Sequence, residues 1–163
     1  MIGLVRRAEA SDLASMLDME EQRRSQYARY QPRFWNPAAD ARLAQSRYFT
    51  RLLETPEVML GVYERDAHIV GFIIARLVPA PPVYNPGGLT CLIDDFCVAS
   101  PDEWNTVGIP LLEHIYAEAR QRGAAQAVVV CGHLDQPKRE MLFSAGATIA
   151  SEWFVQDLSG PAS

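Results

Sequence analysis

Residues 89–132, LTCLIDDFCVASPDEWNTVGIPLLEHIYAEARQRGAAQAVVVCG, contain the pattern that decides the fold. Residues 89–99 are rich in the β-branched and aromatic side chains that strands prefer. Apolar side chains then repeat at helical spacing from about residue 107 to residue 120, and Gly123 is suited to end that helix. The apolar residues 127–131 predict a strand that is buried on both faces. The stretch therefore predicts a βαβ unit.

The segments before this unit predict two helices and three strands. A short first strand runs into Ser11 and Asp12, whose side chains can cap a helix. A polar turn between two β-rich segments indicates an antiparallel hairpin. The predicted strands are residues 2–6, 58–63 and 68–77, and the second helix spans about residues 38–53.

After the unit, a short helix is expected over about residues 136–145, followed by a final strand over residues 148–158 that contains Trp153 and Phe154. Residues 159–163 are expected to be a flexible tail. The order of elements is then strand, two helices, three strands, helix, strand, helix, strand. This order predicts an α/β (α+β) fold in which residues 1–158 form a single domain.

Composition limits the class of partner. The 163 residues carry a net charge of −5, and the isoelectric point is near 5.2, which argues against a general affinity for nucleic acid. One cluster mixes arginines with aromatic residues, and it is interpreted as a solvated helix face more readily than as a nucleic-acid patch, because Glu20 and Glu21 lie beside it. That cluster contains Arg23, Arg24, Tyr27, Arg29, Tyr30, Arg33 and Phe34.

The compartment is expected to be the cytoplasm, with no membrane partner. The first residues lack the long apolar segment of a signal peptide, and no stretch approaches the roughly 18 apolar residues of a membrane helix. Cys91, Cys97 and Cys131 lack the paired spacing of a disulfide framework, so reduced thiols are expected. No metal site is indicated.

Two anchors in the βαβ unit carry a resemblance to a known family. Phe96-Cys97-Val98 ends the strand, and Leu111-Leu112 lies in the following helix; the counts from both anchors place residues 103–108 in the loop between them. This arrangement resembles the GNAT superfamily of acyl-CoA-dependent N-acyltransferases across essentially the whole chain. The resemblance implies a central mixed, mostly antiparallel sheet flanked by helices.

In that family the loop holds the CoA pyrophosphate on consecutive backbone N–H groups at a helix N-terminus. The resemblance therefore implies acetyl-CoA or another acyl-CoA as cofactor. Here Thr106 replaces the first glycine of the loop pattern and Glu103 adds a negative charge, whereas Gly108 is retained. Thr106 could cap the helix or donate its hydroxyl to a phosphate. The implied cofactor-binding residues are Phe96, Cys97, Val98, Glu103, Trp104, Asn105, Thr106, Val107, Gly108, Ile109 and Asp135.

Asp94 is the carboxylate expected to assist acyl transfer to an amine, because one proton must leave the attacking nitrogen. Strand alternation would place Asp94 on the same face as Leu92 and Phe96, with Asp95 on the opposite face, where it would hold a neighbouring loop. The sequence Asp94-Asp95-Phe96 also resembles the acidic strand of the polyamine and thialysine acetyltransferases. The alternative is that Asp94 is a strand acid that only pairs with an arginine.

Leu142 stands where the family usually has its general acid, a tyrosine. Leucine cannot donate a proton, so water, Tyr116, Ser144 or unassisted departure of the thiolate would have to serve. Cys131 followed by His133 could form a nucleophilic pair, but a buried thiol is usually inert packing, and that interpretation is not favoured.

The acceptor pocket implied by the resemblance combines aromatic surface with acid, which suits an amine-bearing acceptor. The leading hypothesis is an acetyl-CoA-dependent N-acetyltransferase acting on a primary amine of a small molecule or peptide. The alternative is a catalytically inactive GNAT-like module that binds a ligand or a protein. A homodimer is expected from the resemblance. The implied substrate-binding residues are Tyr27, Tyr30, Phe34, Trp35, Glu152 and Trp153.

Overall fold

A computed structural model describes residues 3–160, and it contains five strands and four α-helices in that range. The strands are β1 (Leu4–Arg7), β2 (Met59–Arg65), β3 (His68–Val78), β4 (Leu89–Val98) and β5 (Ala124–Val129). The helices are α1 (Leu13–Tyr30), α2 (Ala41–Leu53), α3 (Ile109–Gln121) and α4 (Gln136–Ser144). The start of the predicted first strand and most of the predicted tail, residues 161–163, lie outside the described residues.

The five strands form one sheet in the order β1-β2-β3-β4-β5. All neighbours are antiparallel except β4 and β5, which are parallel because α3 connects them. The predicted hairpin is confirmed, and its tight turn places Asp66 and Ala67 at positive φ. The mixed, mostly antiparallel sheet and the βαβ unit are also confirmed.

Helices cover both faces of the sheet and produce two separate apolar clusters. One cluster packs Met16 of α1 and Phe49 of α2 against Phe72 of β3, and all three side chains are fully buried. The other cluster packs Leu111 and Ile115 of α3 against the opposite face of the sheet. The strands between the two clusters are therefore apolar on both sides, as expected for a sheet covered on both faces.

Strand β4 contains a β-bulge that reverses the expected alternation of its side chains. Ile74 of β3 is opposite Asp95, and the next residue, Ala75, is opposite Ile93. Asp94 is therefore an extra residue in β4, and the strand changes its parity there. The bulge is the reason why the simple alternation rule fails in the second half of this strand.

The prediction that Asp94 shares a face with Leu92 and Phe96 is therefore wrong. Phe96 belongs to the α3 side together with Ile93, whereas Cys97 belongs to the side of α1 and α2. An extra residue between two alternating segments exchanges the faces of every residue after it.

Two predictions at the C-terminal end of the fold are also wrong. β5 is an edge strand with mostly exposed side chains, and residues 148–158 form no strand. The two errors have one cause: burial of both faces and edges of β5 requires a further strand beside it, and residues 148–158 do not pair with it here. Among the described residues, no helix is long and apolar enough to cross a membrane.

Candidate functional site

The parallel strands β4 and β5 separate halfway along β4. Their pairing ends at Ile93 and Val129, and the last backbone bond runs from the Val130 N–H to the Ile93 carbonyl at 2.9 Å. Beyond that point β4 continues to Val98, but β5 does not follow it. Residues 94–98, which we call the free edge of β4, therefore have a strand neighbour on the β3 side only.

Two cationic side chains supply donors to the free edge of β4. Arg23 of α1 donates from Nη1 to the Asp94 carbonyl at 3.2 Å, and Lys138 of α4 donates from Nζ to the Phe96 carbonyl at 3.2 Å. The side chains come from helices on opposite sides of the sheet. They take the place that the backbone of a neighbouring strand would otherwise occupy.

Lys138 is the most unusual residue of this site, because its side chain is 0% exposed. Its ammonium lies 5.2 Å from the centre of the Phe96 ring and 5.3 Å from that of Trp104. Burial lowers the pKa of Lys138 from its usual value, and the nearby Arg23 lowers it further. Burial of a lysine that is held by a carbonyl and two aromatic rings, with no ion pair among the described residues, is costly, which makes Lys138 a candidate functional residue.

A groove opens between α1 and the free edge of β4. The groove is partly open to solvent, and the space within it is about 40 Å³, enough for a few water molecules. The groove is lined by residues that include Arg23, Phe96, Cys97, Val98, Trp104 and Asp135.

The segment predicted to be a phosphate-binding loop is helical. A 3₁₀ turn spans Pro101–Glu103, a π-helical turn spans Trp104–Gly108, and α3 follows without a break. The Ile109 N–H is bonded to the Trp104 carbonyl. The Ile109 N–H is therefore engaged within the helix, whereas the assignment of residues 103–108 to the pyrophosphate stays a prediction.

Gly108 has a packing role in this helix. A Cβ atom at Gly108 would lie 2.7 Å from the Trp104 ring, so a larger residue would displace that ring. Trp104 is buried and packs edge-on against Phe96, with 4.8 Å between ring centres. The glycine that resembles a phosphate-loop glycine thus allows an aromatic side chain to reach the free edge of β4.

Glu103 and Thr106 are both engaged within the protein. Glu103 forms an ion pair with Arg65 at the end of β2. Thr106 is exposed, and its hydroxyl lies 3.4 Å from the Glu103 carbonyl. The negative charge that departs from the family pattern is therefore balanced by an arginine of the neighbouring hairpin.

The two adjacent acids of β4 lie in different environments. Asp94 pairs with Arg76 at 3.1 Å, and both side chains are about two-fifths exposed, at 42% and 43%. Asp95 is only 15% exposed and lies 3.6 Å from Arg23. Burial raises the pKa of Asp95 to about 6, and the nearby carboxylate of Glu20 adds to this increase. Asp95 therefore contacts α1, whereas the sequence predicted a loop contact.

Arg23 joins these groups into a buried polar cluster on the α1 side. It pairs with Glu20 at 2.9 Å, and Glu20 accepts a hydrogen bond from the Cys97 thiol at 3.1 Å. Burial raises the pKa of the Cys97 thiol well above its usual value. The expectation of a solvated helix face is wrong for Arg23, whose guanidinium lies between Glu20 and Asp95.

Tyr27 closes the end of this cluster. Its hydroxyl donates to Asp135 at 2.6 Å and accepts from the Gly132 N–H at 3.1 Å. These bonds tie α1 to the turn before α4. Cys131 lies nearby, and burial raises the pKa of its thiol to about 11, which fits inert packing more than nucleophilic chemistry.

The structure brings the aromatic members of the predicted acceptor set together. Tyr27 packs near Tyr30 and Trp35, Phe34 packs edge-on against Trp35 at 4.6 Å, and Trp153 lies 6.3 Å from Phe34. A cavity of about 130 Å³ adjoins this group between α1 and α2. Glu152 stands apart from the rings, 3.8 Å from His133.

Neither protein hydroxyl considered in place of the missing tyrosine reaches the free edge of β4. Leu142 is buried in the α3-side cluster, and Tyr116 packs against the same cluster. Ser144 donates its hydroxyl to the Met141 carbonyl at 2.8 Å. Lys138, one helical turn before Leu142, is the α4 residue that reaches that edge.

Sequence reasoning missed Lys138, Arg23 and Glu20. A usable signal existed for α1, since Met16, Glu20, Arg23 and Tyr27 follow one another at helical spacing, and all four face the interior. Two charged residues on an apolar stripe indicate a buried ion pair. For Lys138 no comparable signal is present, because α4 is short and mostly polar.

No protein-family model and no curated protein matches the chain. Solved structures do match it. A predicted acetyltransferase from Clostridium acetobutylicum, solved with acetyl-CoA, has 18% identity and a TM-score of 0.73, and the match covers 96% of this chain and 97% of that one. A Bacillus halodurans protein, solved as a tetramutant, has 14% identity and a TM-score of 0.81, with 95% and 99% covered.

A third similar structure is the aminoglycoside N-acetyltransferase AAC(6')-Iy in complex with CoA. It has 11% identity and a TM-score of 0.69, and the match covers 97% of this chain and 95% of that one. Likeness at such low identity establishes a shared fold over almost the full length of both chains. The fold of this protein is that of the GNAT acetyltransferases.

Proposed function

We propose that this protein is an N-acetyltransferase that moves an acetyl group directly from acetyl-CoA to a primary amine of a small molecule or peptide. The observation that carries the proposal is the free edge of β4, which lies beside a groove in a sheet of the GNAT fold. An unpaired strand edge offers backbone donors and acceptors to an extended ligand. The amide-bearing arm of CoA has the chemistry that fits such an edge.

The two ends of the cofactor fit this chain unequally. Phe96, Cys97 and Val98 would hold the thioester arm once Lys138 has left the Phe96 carbonyl. The predicted pyrophosphate loop, residues 103–108, is less favourable, because the Ile109 N–H is bonded within the helix and Glu103 brings a negative charge that Arg65 balances. The free amides at the start of this helix are the groups proposed to meet the pyrophosphate.

Acetyl-CoA would supply the activated acyl group, and the protein would supply the route for the amine proton. Asp94 is proposed as the group that accepts this proton, because it is accessible beside the free edge of β4. Asp95 is the second candidate, since its pKa of about 6 suits a general base near neutral pH. Asp94→Asn and Asp95→Asn form a matched pair that separates these roles.

The first experiment measures thermal unfolding of the full chain with acetyl-CoA and with CoA. A ligand that binds the native state at 100 times its dissociation constant stabilises it by about 2.7 kcal/mol. We expect a clear rise in the unfolding temperature with both ligands. Transfer is then followed as release of free thiol with a panel of primary amines. No rise at millimolar acetyl-CoA would contradict the proposal.

The carboxylate variants are compared in the same transfer assay. If Asp94 accepts the amine proton, Asp94→Asn should lower kcat about 100-fold while Asp95→Asn keeps most of the activity. If Asp95→Asn instead loses activity and Asp94→Asn keeps it, Asp95 is the group that accepts the amine proton. Equal activity of both variants and the parent protein would remove both acids from the mechanism.

The alternative function is a GNAT-like module that binds a ligand or a protein without transferring acyl groups. It is favoured by Lys138, because the lysine already donates a hydrogen bond to the Phe96 carbonyl that the cofactor would need. Lys138→Met keeps the length and apolar stem of the side chain but removes the donor. Under the enzyme proposal this variant should bind CoA more tightly than the parent; under the alternative, neither protein binds CoA.

The remaining expectations about partners and location stay predictions. They are a cytoplasmic location, no nucleic-acid or membrane partner, no metal, and a homodimer. Equilibrium binding to double-stranded DNA at low salt tests the nucleic-acid prediction, and we expect no saturable binding because the net charge is −5.

A further inference from the structure

Lys138 is the only lysine in the sequence of 163 residues, and the other cationic residues among the 15 lysines and arginines are all arginine. An arginine side chain stays charged in proteins, whereas a lysine can lose its proton and become a nucleophile. The one lysine amine of this chain is also completely buried, at the free edge of β4. Because arginines supply the surface charge, this placement points to a role that only an amine can have.

The surroundings of Lys138 hold its amine in a dry and fixed position. Nζ donates to the Phe96 carbonyl at 3.2 Å and lies between 5 and 5.5 Å from two ring centres, at 5.2 Å for Phe96 and 5.3 Å for Trp104. Burial lowers the pKa of Lys138, and the positive charge of Arg23 lowers it further. The neutral amine is therefore more abundant here than in an exposed lysine, of which roughly one in a thousand is neutral at pH 7.

The backbone groups next to this amine suit the carbonyl of a thioester. The Ala99 N–H donates to the Val70 carbonyl at 2.9 Å, so Ala99 points to β3. Because directions alternate along a strand, the Val98 N–H and the Phe96 carbonyl both point away from β3. Among the described residues no group accepts the Val98 N–H. A thioester carbonyl that accepts this N–H would lie beside the amine held by the Phe96 carbonyl.

We propose that Lys138 is an acyl acceptor, whose Nζ takes the acetyl group of a thioester that lies along the free edge of β4. The choice of acetyl-CoA as this thioester rests on the proposed function. The neutral Nζ attacks the thioester carbonyl carbon, a C–N bond forms, and the C–S bond breaks. One proton passes from the nitrogen to the departing thiolate. The products are an acetylated lysine and a free thiol, and no further reactant is needed.

The product of this step fits its surroundings better than the ammonium does. Acetylation replaces a buried charge with a neutral amide, which removes the cost of keeping that charge away from water. The amide N–H still provides a donor for the Phe96 carbonyl. The groove beside the rings of Phe96 and Trp104 adjoins the position of the added acetyl group. Because an amide is stable to amines, the reaction should stop at one acetyl group on this side chain.

The experiment follows acetylation by mass spectrometry of the full chain and of its peptides. One sample receives acetyl-CoA, and another receives S-acetyl-N-acetylcysteamine, a short thioester without a nucleotide. The variant Arg47→Lys places an ordinary exposed lysine on α2 of the same molecule. Lys138 should be acetylated at least about tenfold faster than the lysine introduced at position 47, because the exposed amine is almost entirely protonated at pH 7. Unfolding in urea should remove the difference.

The variant Lys138→Arg is the matched control, since it keeps the positive charge but offers no amine. It should gain no acetyl group at position 138. Acetylation of Lys138 by the short thioester alone would support the acceptor role and would contradict acetyl-CoA as the cofactor.

Two outcomes would overturn the acceptor role. In the first, acetyl-CoA raises the unfolding temperature, but Lys138 reacts no faster than the lysine at position 47 with either thioester. The proposed function would then stand, and Lys138 would only fill space. In the second, neither thioester acetylates Lys138 and acetyl-CoA does not change the unfolding temperature, which would contradict both proposals.

Discussion

The two halves of β4 differ in what stabilises them. The first half, residues 89–93, has a strand on each side, and its apolar residues follow the ordinary rules of a covered sheet. The second half, residues 94–98, has a strand on one side only, and two cations and a tryptophan complete its surroundings. Backbone pairing thus makes the first half predictable, whereas side chains from distant segments define the second half.

The largest effect should come from removing the tryptophan that supports the second half of β4. Trp104→Ala would leave a cavity beside Phe96 and should lower the free energy of unfolding by about 3–5 kcal/mol. Urea unfolding measures this change. Trp153→Ala is the matched control, because Trp153 is exposed and should change stability by less than about 0.5 kcal/mol. Equal losses of unfolding free energy in Trp104→Ala and Trp153→Ala would contradict the view that Trp104 supports the second half of β4.

Asp95 should make the stability of the protein depend on pH. Because its pKa rises from 3.8 to about 6 on folding, the folded state binds a proton more tightly than the unfolded state. Stability from this group is present below pH 4 and is lost as the pH rises through 6, by up to about 3 kcal/mol. Urea unfolding between about pH 3 and about pH 7, which extends roughly one pH unit beyond each pKa value, measures the loss.

The variant Asp95→Asn should remove this pH dependence. Asp94→Asn is its matched control, because the same atoms change one residue away on an exposed side chain. An unaltered pH profile in Asp95→Asn would show that another group titrates in this range.

Lys138 should affect the pH dependence of stability in the opposite direction to Asp95, and at higher pH. Its pKa is lowered on folding, so above its folded pKa and below 10.5 the unfolded state binds more protons. The stability of the parent relative to Lys138→Met should therefore increase with pH in that window, while the buried thiols, whose pKa values are raised, affect both proteins alike. Unfolding in urea between neutral pH and pH 10 checks the direction, and parallel profiles of the two proteins would contradict it.

The smallest effect should come from the exposed ion pair at the bulge. Asp94 and Arg76 are both accessible to water, so Arg76→Ala should change the free energy of unfolding by less than about 1 kcal/mol. The effect should shrink further in 1 M salt, where charges at the surface are screened. A loss above about 2 kcal/mol would place this pair among the structural supports of β4.

Much of the fold could be predicted because local patterns agree with the final structure. The helical spacing of α3, the hairpin of β2 and β3, and the order of elements up to α4 follow from periodicity and turn residues. The resemblance carried by Phe96-Cys97-Val98 and Leu111-Leu112 indicated the GNAT fold, and the solved structures confirm it. The last strand failed because β-type composition does not supply a partner for its hydrogen bonds.

The candidate site was harder to predict because its decisive contacts join residues far apart in sequence. Lys138 and Phe96 are separated by 42 positions, and Tyr27 and Asp135 by 108. The bulge at Asp94 also has no signature in the sequence, so alternation placed Phe96 on the face of Leu92, whereas Phe96 lies on the opposite face with Ile93. Gly108 matched a family pattern, but its packing against Trp104 becomes visible only when both side chains are placed.

The bulge at Asp94 also determines how β4 would respond to a change in length. Ile93 and Asp95 are already opposite consecutive residues of β3. Deletion of Asp94 would therefore leave a continuous ladder, and all remaining side chains would keep their present faces. Deletion of a residue elsewhere in the strand would bring Asp94 into the ladder and exchange the faces of the residues between the deletion and Asp94. Asp94 is therefore the position at which β4 can lose a residue without exchanging its two faces.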